Sequence, residues 1–381
     1  MQSEASTKTD LNQLKKIFII AGEESGDLHG SSLVSALLKI NPKLSFVGHG
    51  GDKMKSAGVE IIEHISKLSL VGFTEVIKHL PYMRKVMNHT IELIKEIKPA
   101  CVILIDYPGF NLRLAKELKK LNIPITYFIL PQAWAWKEKR YKTLQNYTDQ
   151  LISIIPFEKE WFGARNVQID YIGNPLVDSL KTPANKNDYF NKHNLKIDQP
   201  LLTLLPGSRQ QEINRHWPIF LETINKMRET FPSLQFILGK APNVVIDSIP
   251  DYVKIETEQI NLTMQHADAG LVASGTASLE ATVYKMPCVV CYKTSGLTHW
   301  IGKRLARVKY LSLTNLIADE KIISEFIQND MTPEKLIKAL VPLLSETPER
   351  GKILERYDSV IKLLGEQGTY KRAAELISAK I

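Results

Sequence analysis

Ile17-Phe18-Ile19-Ile20-Ala21-Gly22-Glu23-Glu24-Ser25-Gly26-Asp27 passes directly from an unbroken apolar run to a turn rich in glycine, hydroxyl and carboxylate groups. The run has the length of a buried strand, and the turn stands where a helix would begin. A helix N-terminus offers unpaired backbone N–H groups and the positive end of a dipole, so it suits anionic oxygens. The second half of the chain repeats the arrangement: Ala269-Gly270-Leu271-Val272-Ala273 leads into Ser274-Gly275-Thr276-Ala277-Ser278. Two such turns predict two nucleotide-type α/β halves facing one cleft. One half would hold a phosphate-bearing donor and the other an acceptor.

Outward from the first turn, apolar runs at 16–21, 44–48, 100–106, 125–129 and 151–155 alternate with helical patterns at 30–40, 82–97 and 112–121. This order predicts a mostly parallel sheet covered on both faces, with ligands beyond the carboxyl ends of its strands. Ile172-Gly173-Asn174-Pro175-Leu176 carries turn residues and precedes a polar stretch, so the boundary falls there. The rhythm restarts with strands at 201–205, 235–238, 270–273 and 288–292. The last fifty or so residues read as helices broken near Thr347-Pro348 and between Gly365 and Gly368. The expected domains are 1–175 and 176–350, with helices from about 351 to 381 packing back on the first.

A chain of 381 residues is too long for one compact core. Its 44% hydrophobic and 24% charged content is ordinary for a globular protein. No apolar stretch reaches the roughly 18–20 residues of a spanning helix, and the polar N-terminus lacks an apolar signal core. These features predict a cytoplasmic protein, or one attached to a membrane surface without crossing it. The net charge of +8 favours anionic partners. No nucleic-acid-reading element is present. Cys288 and Cys291 are spaced C-x-x-C, but on a strand they would point to opposite faces, and with Cys101 they read as buried core thiols. The nine histidines show no metal-ligand spacing.

Five segments carry candidate chemistry. In the first turn, Gly22, Ser25, Gly26 and Asp27 would face a substrate. The alternative is Asp27 or Ser25 capping a helix. The glycines lack dinucleotide spacing, which disfavours a nicotinamide role. Val102-Ile103-Leu104-Ile105-Asp106 puts a carboxylate at the end of a central strand, where partial desolvation would raise its pKa and make it a general base for a hydroxyl, a turn former being the alternative. Leu205-Pro206-Gly207-Ser208-Arg209 offers a guanidinium for a diphosphate. Ser274, Gly275 and Thr276 offer backbone and hydroxyl donors, and Glu280 one turn on would accept from ribose hydroxyls. Trp134 and Trp136 would flank a ligand or pack a domain edge. Two stretches suggest contact with an anionic bilayer: one bearing Leu70, Val71, Phe73 and Val76, the other pairing Trp300 with Lys303, Arg304 and Arg307. Ordinary core packing is the alternative for each.

These segments together resemble the lipid-A-disaccharide synthases, glycosyltransferases of the GT-B type. The resemblance runs from Ile17 to about Ile377 and also includes Pro131-Gln132-Ala133-Trp134-Ala135-Trp136 and Tyr310-Leu311-Ser312-Leu313-Thr314-Asn315. It implies two Rossmann-like domains with parallel sheets facing a central cleft. It implies UDP-2,3-diacylglucosamine as donor, 2,3-diacylglucosamine 1-phosphate as acceptor and UDP as leaving group. No metal or other cofactor is implied. The expected place is the cytoplasmic face of a bacterial inner membrane, on an anionic surface, and a homodimer is left open. By resemblance Asp106 matches the base, and Arg209, Ser274, Glu280 and Asn315 match positions that bind UDP. Gly109, Asn174 and His29 depart from the family's usual Asp, His and aliphatic residue. The rival readings are another UDP-sugar enzyme, such as an N-acetylglucosaminyltransferase or a 2-epimerase, and a non-catalytic UDP-sugar-binding protein.

Overall fold

The computed structural model of the chain describes residues 14–68, 73–180, 185–295 and 308–381, with side chains throughout except at 73–79. The predicted membrane-contact residues Leu70, Val71, Trp300, Lys303, Arg304 and Arg307 lie outside the described residues, as do the side chains of Phe73 and Val76. Among the described residues no helix is long and apolar enough to cross a membrane.

The chain divides into two compact units, Met1–Pro175 with Gln367–Ile381, and Leu176–Glu366. The first contains seven strands: β1 (Lys15–Ile20), β2 (Leu44–Gly50), β3 (Val59–His64), β4 (Cys101–Ile105), β5 (Ile125–Phe128), β6 (Gln150–Ser153) and β7 (Asp170–Tyr171). They pair in parallel in the order β3-β2-β1-β4-β5-β6-β7. The central strands are buried on both faces. Phe18 and Ile20 of β1 enter one core with Val102 and Leu104 of β4, while Ile17 and Ile19 enter the opposite core with Ile103 and Ile105. Period-two alternation between two apolar layers explains why these strands read as unbroken apolar runs.

The second unit contains β8 (Leu201–Leu205), β9 (Gln235–Gly239), β10 (Val253–Glu256), β11 (Ala269–Ala273), β12 (Cys288–Tyr292) and β13 (Ser324–Ile327). They are also all parallel, in the order β10-β9-β8-β11-β12-β13. Cys288 and Cys291 enter cores on opposite faces of this sheet, so the C-x-x-C spacing forms no pair.

The chain re-enters the first unit only at Gln367, so the helix Pro348–Leu363 belongs to the second unit and Thr369–Ser378 to the first. Arg372 Nε donates to the Ile172 carbonyl at 2.8 Å, and Gln150 Nε2 donates to Leu376 O at 3.2 Å. His29 Nδ1 meets the Tyr370 hydroxyl at 2.8 Å, and burial pulls this imidazole down to about 4.

Candidate active site

Each sheet has a topological switch point, where strand order reverses and neighbouring connections leave in opposite directions. In the first it lies between β1 and β4, flanked by Ala21-Gly22-Glu23 and Asp106-Tyr107-Pro108. These loops touch: a Cβ on Gly22 would lie 2.3 Å from Cδ1 of Tyr107, so only glycine lets that ring lie across the first turn.

Asp106 and Tyr107 both adopt left-handed backbone, with φ of +41° and +46°. Such a conformation costs roughly 1–2 kcal/mol for a residue with a Cβ. The surroundings hold it. The Asp106 N–H donates to Phe128 O at 3.0 Å, and its carbonyl accepts from Tyr127 Oη at 2.6 Å and Asn111 Nδ2 at 2.9 Å. Asn111 Nδ2 also donates to Ile105 O at 3.1 Å, and Tyr107 Oη to Leu68 O at 3.1 Å. The turn therefore fixes the backbone from which the Asp106 side chain projects. Burial, aided by the charge of Glu23, lifts this carboxyl to about 6, while the Tyr107 amide and the Arg140 guanidinium pull the other way. Near pH 7 it is ionised yet basic enough to accept a proton.

Pro131-Gln132-Ala133-Trp134-Ala135-Trp136 follows β5. Its two tryptophans have different roles. Trp134 is buried, edge-on to Phe157 at 4.9 Å, and its indole N–H donates to Glu158 Oε1 at 2.8 Å. Ser153 Oγ donates to the other carboxylate oxygen of Glu158. Burial pushes Glu158 up to about 7, against these two hydrogen bonds and with the charge of Asp106 adding to the rise. Trp136 is 44% exposed, with Lys137 Nζ at 4.8 Å and the Arg140 guanidinium at 5.1 Å from its ring centre.

Two residues of the first turn are not available to a substrate. Asp27 is buried, and its carboxylate accepts the backbone N–H groups of Gly51 (2.6 Å), Lys53 (3.1 Å) and Met54 (3.0 Å). It caps the helix Asp52–Ser56 rather than its own helix. Gly26 is buried in the first turn of the helix Glu24–Ile40, where its absent side chain admits Ala21. Gly22 stands at the loop itself, and Ser25 is exposed on the first helical turn.

The second switch point lies between β8 and β11, flanked by Pro206-Gly207-Ser208-Arg209 and Ser274-Gly275-Thr276. Gly207 has φ +130°, and a Cβ there would meet Glu212 Oε2 at 2.6 Å. That oxygen accepts the N–H groups of Ser208 (3.1 Å) and Arg209 (3.4 Å). Arg209 is exposed at the start of the helix Gln210–Thr230, with Nη1 3.4 Å from Glu212 Oε1. His216, fully buried, completes the frame. Its Nδ1 lies 2.7 Å from Pro206 O, and its Nε2 accepts the Lys293 N–H at 2.9 Å. A carbonyl on one side and an amide on the other allow only the neutral tautomer with hydrogen on Nδ1. Burial lowers the pKa in the same sense. This imidazole ties the loops after β8 and β12 together on either side of the β11 turn.

In that turn the Ser274 N–H donates to Cys291 O at 2.8 Å and its Oγ to Leu311 O at 3.5 Å. Nothing lies within 4 Å of a Cβ on Gly275, and no side chain caps the helix Thr276–Val283. No acceptor is bonded to the N–H groups of Thr276 and Ala277 among the described residues. Burial raises Glu280, opposed by a hydrogen bond from Thr276.

Asn315 does not offer its side chain to a ligand. It is fully buried: its amide nitrogen donates to Ile323 O (2.9 Å) and Glu325 Oε1 (2.8 Å), and its oxygen accepts from Ile322 N (2.8 Å) and Ile323 N (2.9 Å). Glu325 in turn accepts the N–H groups of Leu311 and Ser312, both at 2.9 Å. Asn315 and Glu325 therefore shape the loop that meets Ser274. Among the described residues no group of three or more His, Cys, Asp or Glu side chains could hold a metal ion.

Residues 17–381 match the lipid-A-disaccharide synthetase family model. The chain belongs to this family. It is 34% identical to the lipid-A-disaccharide synthase of Coxiella burnetii (strain CbuK_Q154), with 95% of this chain and 98% of that one covered. It is 35% identical to the synthase of Syntrophus aciditrophicus, with 94% and 96% covered. It is accordingly an enzyme of the glycosyltransferase class, in lipid A biosynthesis. Among solved structures, the kitacinnamycin glycotransferase superposes with a TM-score of 0.68 at 14% identity, covering 96% of this chain and 99% of that one. Staphylococcus aureus MnaA, solved with UDP, superposes at 0.67 and 12% identity, covering 96% of each. At such identities the likeness is one of fold.

Sequence reasoning missed Tyr127, Arg140, Glu158, His216 and Glu325. Only Arg140 had a local signal, the basic run Lys137-Glu138-Lys139-Arg140-Tyr141-Lys142. Each of the others is defined by hydrogen bonds that only the folded chain makes, such as Trp134 with Glu158 and His216 with Lys293.

Proposed function

We propose that this enzyme transfers 2,3-diacylglucosamine from its UDP derivative to 2,3-diacylglucosamine 1-phosphate, with inversion at the anomeric carbon. Asp106 takes the proton of the acceptor's primary hydroxyl as that oxygen bonds to the anomeric carbon and the bond to UDP breaks. UDP leaves with the electron pair. Arg209, the open amides after Gly275 and the Ser274 and Thr276 hydroxyls stabilise the growing diphosphate charge. Glu280 accepts from the ribose hydroxyls. The enzyme works on the anionic cytoplasmic face of the inner membrane, where its acylated substrates reside.

The observation that carries this reading is the carboxylate of Asp106, lifted to about 6 and fixed at the first switch point in a chain of this family. Incubation with both acylated sugars, followed by mass detection of the disaccharide 1-phosphate and UDP, tests it. UDP release without disaccharide, or turnover of unacylated UDP-sugar alone, overturns it.

A further inference from the structure

The corner formed by Trp136, Lys137 and Arg140 is built against the ordinary rules of helix ends. The helix Arg140–Tyr147 carries no acidic residue in its first turn and no capping side chain. Instead Lys137, Lys139, Arg140 and Lys142 crowd its positive end, where cations are disfavoured. The nearby carboxylate of Glu138 does not relieve this charge at the indole, because Arg165 holds it at 2.8 Å. Among the described residues none of the four cations has a carboxylate within ion-pair distance. Arg140 is half-buried, close enough to Asp106 and Tyr127 to feel both. Lys137 is held in left-handed backbone, with φ +56°. Two cations thus lie about the exposed Trp136 indole, at 4.8 and 5.1 Å from its centre. Four cations crowded at a helix start, with Asp106 the carboxylate that Arg140 feels, and strained backbone at the same place mark a ligand clamp rather than a stability device.

We propose that Trp136, Lys137 and Arg140 form the acceptor's anion subsite, binding a phosphate monoester on the sugar whose hydroxyl Asp106 deprotonates. Arg140 offers a planar fork to two phosphate oxygens, Lys137 adds a point charge, and the indole face offers a platform to the sugar's C–H face. Phosphate would add counter-charge beyond that of Asp106, which reaches Arg140. Held there, the monoester would orient the sugar so that its far hydroxyl reaches the carboxylate. The proposal rests on the assignment of Asp106 as base.

The test compares the acceptor 1-phosphate with the same acylated sugar lacking phosphate, in the full-length enzyme and in Lys137→Ala, Trp136→Ala, Arg140→Ala and Arg140→Lys. Charge-assisted contacts of this kind change affinity by roughly 10- to 100-fold. The KM for the phosphorylated acceptor is expected to rise by that factor in Arg140→Ala and by less in Lys137→Ala and Trp136→Ala. Arg140→Lys should recover part of the loss. Assayed well above the Asp106 pKa, at about pH 8, where the base stays ionised without the Arg140 charge, the dephosphorylated sugar should be used equally by all variants, and UDP affinity should not move. Wild-type preference for the phosphorylated sugar in the Arg140 and Lys137 variants overturns the proposal, as does equal loss of both sugars. A second arm measures co-sedimentation with phosphatidylglycerol vesicles. Undiminished binding by the variants assigns the cluster to the sugar, while weakened binding with intact acceptor preference assigns it to a lipid headgroup and overturns the proposal. Asp106→Asn separates the two failures. If it is inactive while the Arg140 and Lys137 variants discriminate normally, this subsite alone is wrong; if it is active, the assignment of the base is wrong.

Discussion

The two switch points share a topology and differ in how their polar groups are satisfied. At the first, a carboxylate sits on strained left-handed backbone, lifted by burial to about 6, near a second buried carboxyl at about 7. At the second, the titratable groups are partnered. His216 is locked neutral between two backbone groups, and Glu212 and Glu325 accept backbone amides. What remains open there is a set of N–H groups at an uncapped helix start. The same crevice in a parallel sheet thus presents a raised carboxyl in one unit and unbonded helix-start amides in the other, according to which groups the local sequence leaves unsatisfied.

The largest expected effect breaks the first side alone. Asp106→Ala should lower turnover by about 10²–10⁴-fold, the usual contribution of a general base, and leave the UDP dissociation constant unchanged. Steady-state kinetics with calorimetric UDP titration checks both halves. Arg209→Ala is the mirror experiment. It should weaken UDP by roughly 10- to 100-fold as measured by that titration. A loss of UDP affinity in the first variant, or none in the second, would erase the distinction between the two crevices.

Removing groups that only shape the loops should have a different signature. Asn315→Ala strands buried backbone amides and a carboxylate. It should destabilise the second unit by about 1–3 kcal/mol in urea titration, with UDP affinity of the folded fraction falling only if the loop beside Ser274 relaxes. Asp27→Ala removes a cap from Asp52–Ser56 and should cost about 1–2 kcal/mol while sparing UDP binding. The smallest effect is electrostatic. Glu23→Gln removes a charge that raises Asp106, so the acid limb of kcat/KM should move to lower pH.

The central strands were legible because each is buried on both faces and reads as an uninterrupted apolar run. The unread strands are the four sheet edges, β3, β7, β10 and β13. Ser324–Ile327 is only partly buried, and Val59–His64 interleaves glutamates with isoleucines, so neither stands out from a loop or a helix. The position of Asp106 was legible because an unbroken apolar run leads into it, and the fold has that run as an interior strand. Asp27 and Asn315 were misleading for a common reason. A polar residue near a strand end serves a ligand or a distant backbone amide equally well, and only folding brings Gly51 to Asp27 or Ile323 to Asn315. Glu158 and His216 had no local signal, since each is defined by two partners that the sheet brings together.

The pH dependence of kcat/KM tests the central claim most directly. A base must be ionised to act, so with an acylated acceptor lacking the phosphate, whose own second ionisation lies at about 6, activity should fall as pH drops through about 6, tenfold for each further unit, and the residual activity of Asp106→Asn should show no such limb. A wild-type profile flat from about pH 5 to 7, or the same limb surviving in Asp106→Asn, would contradict the account.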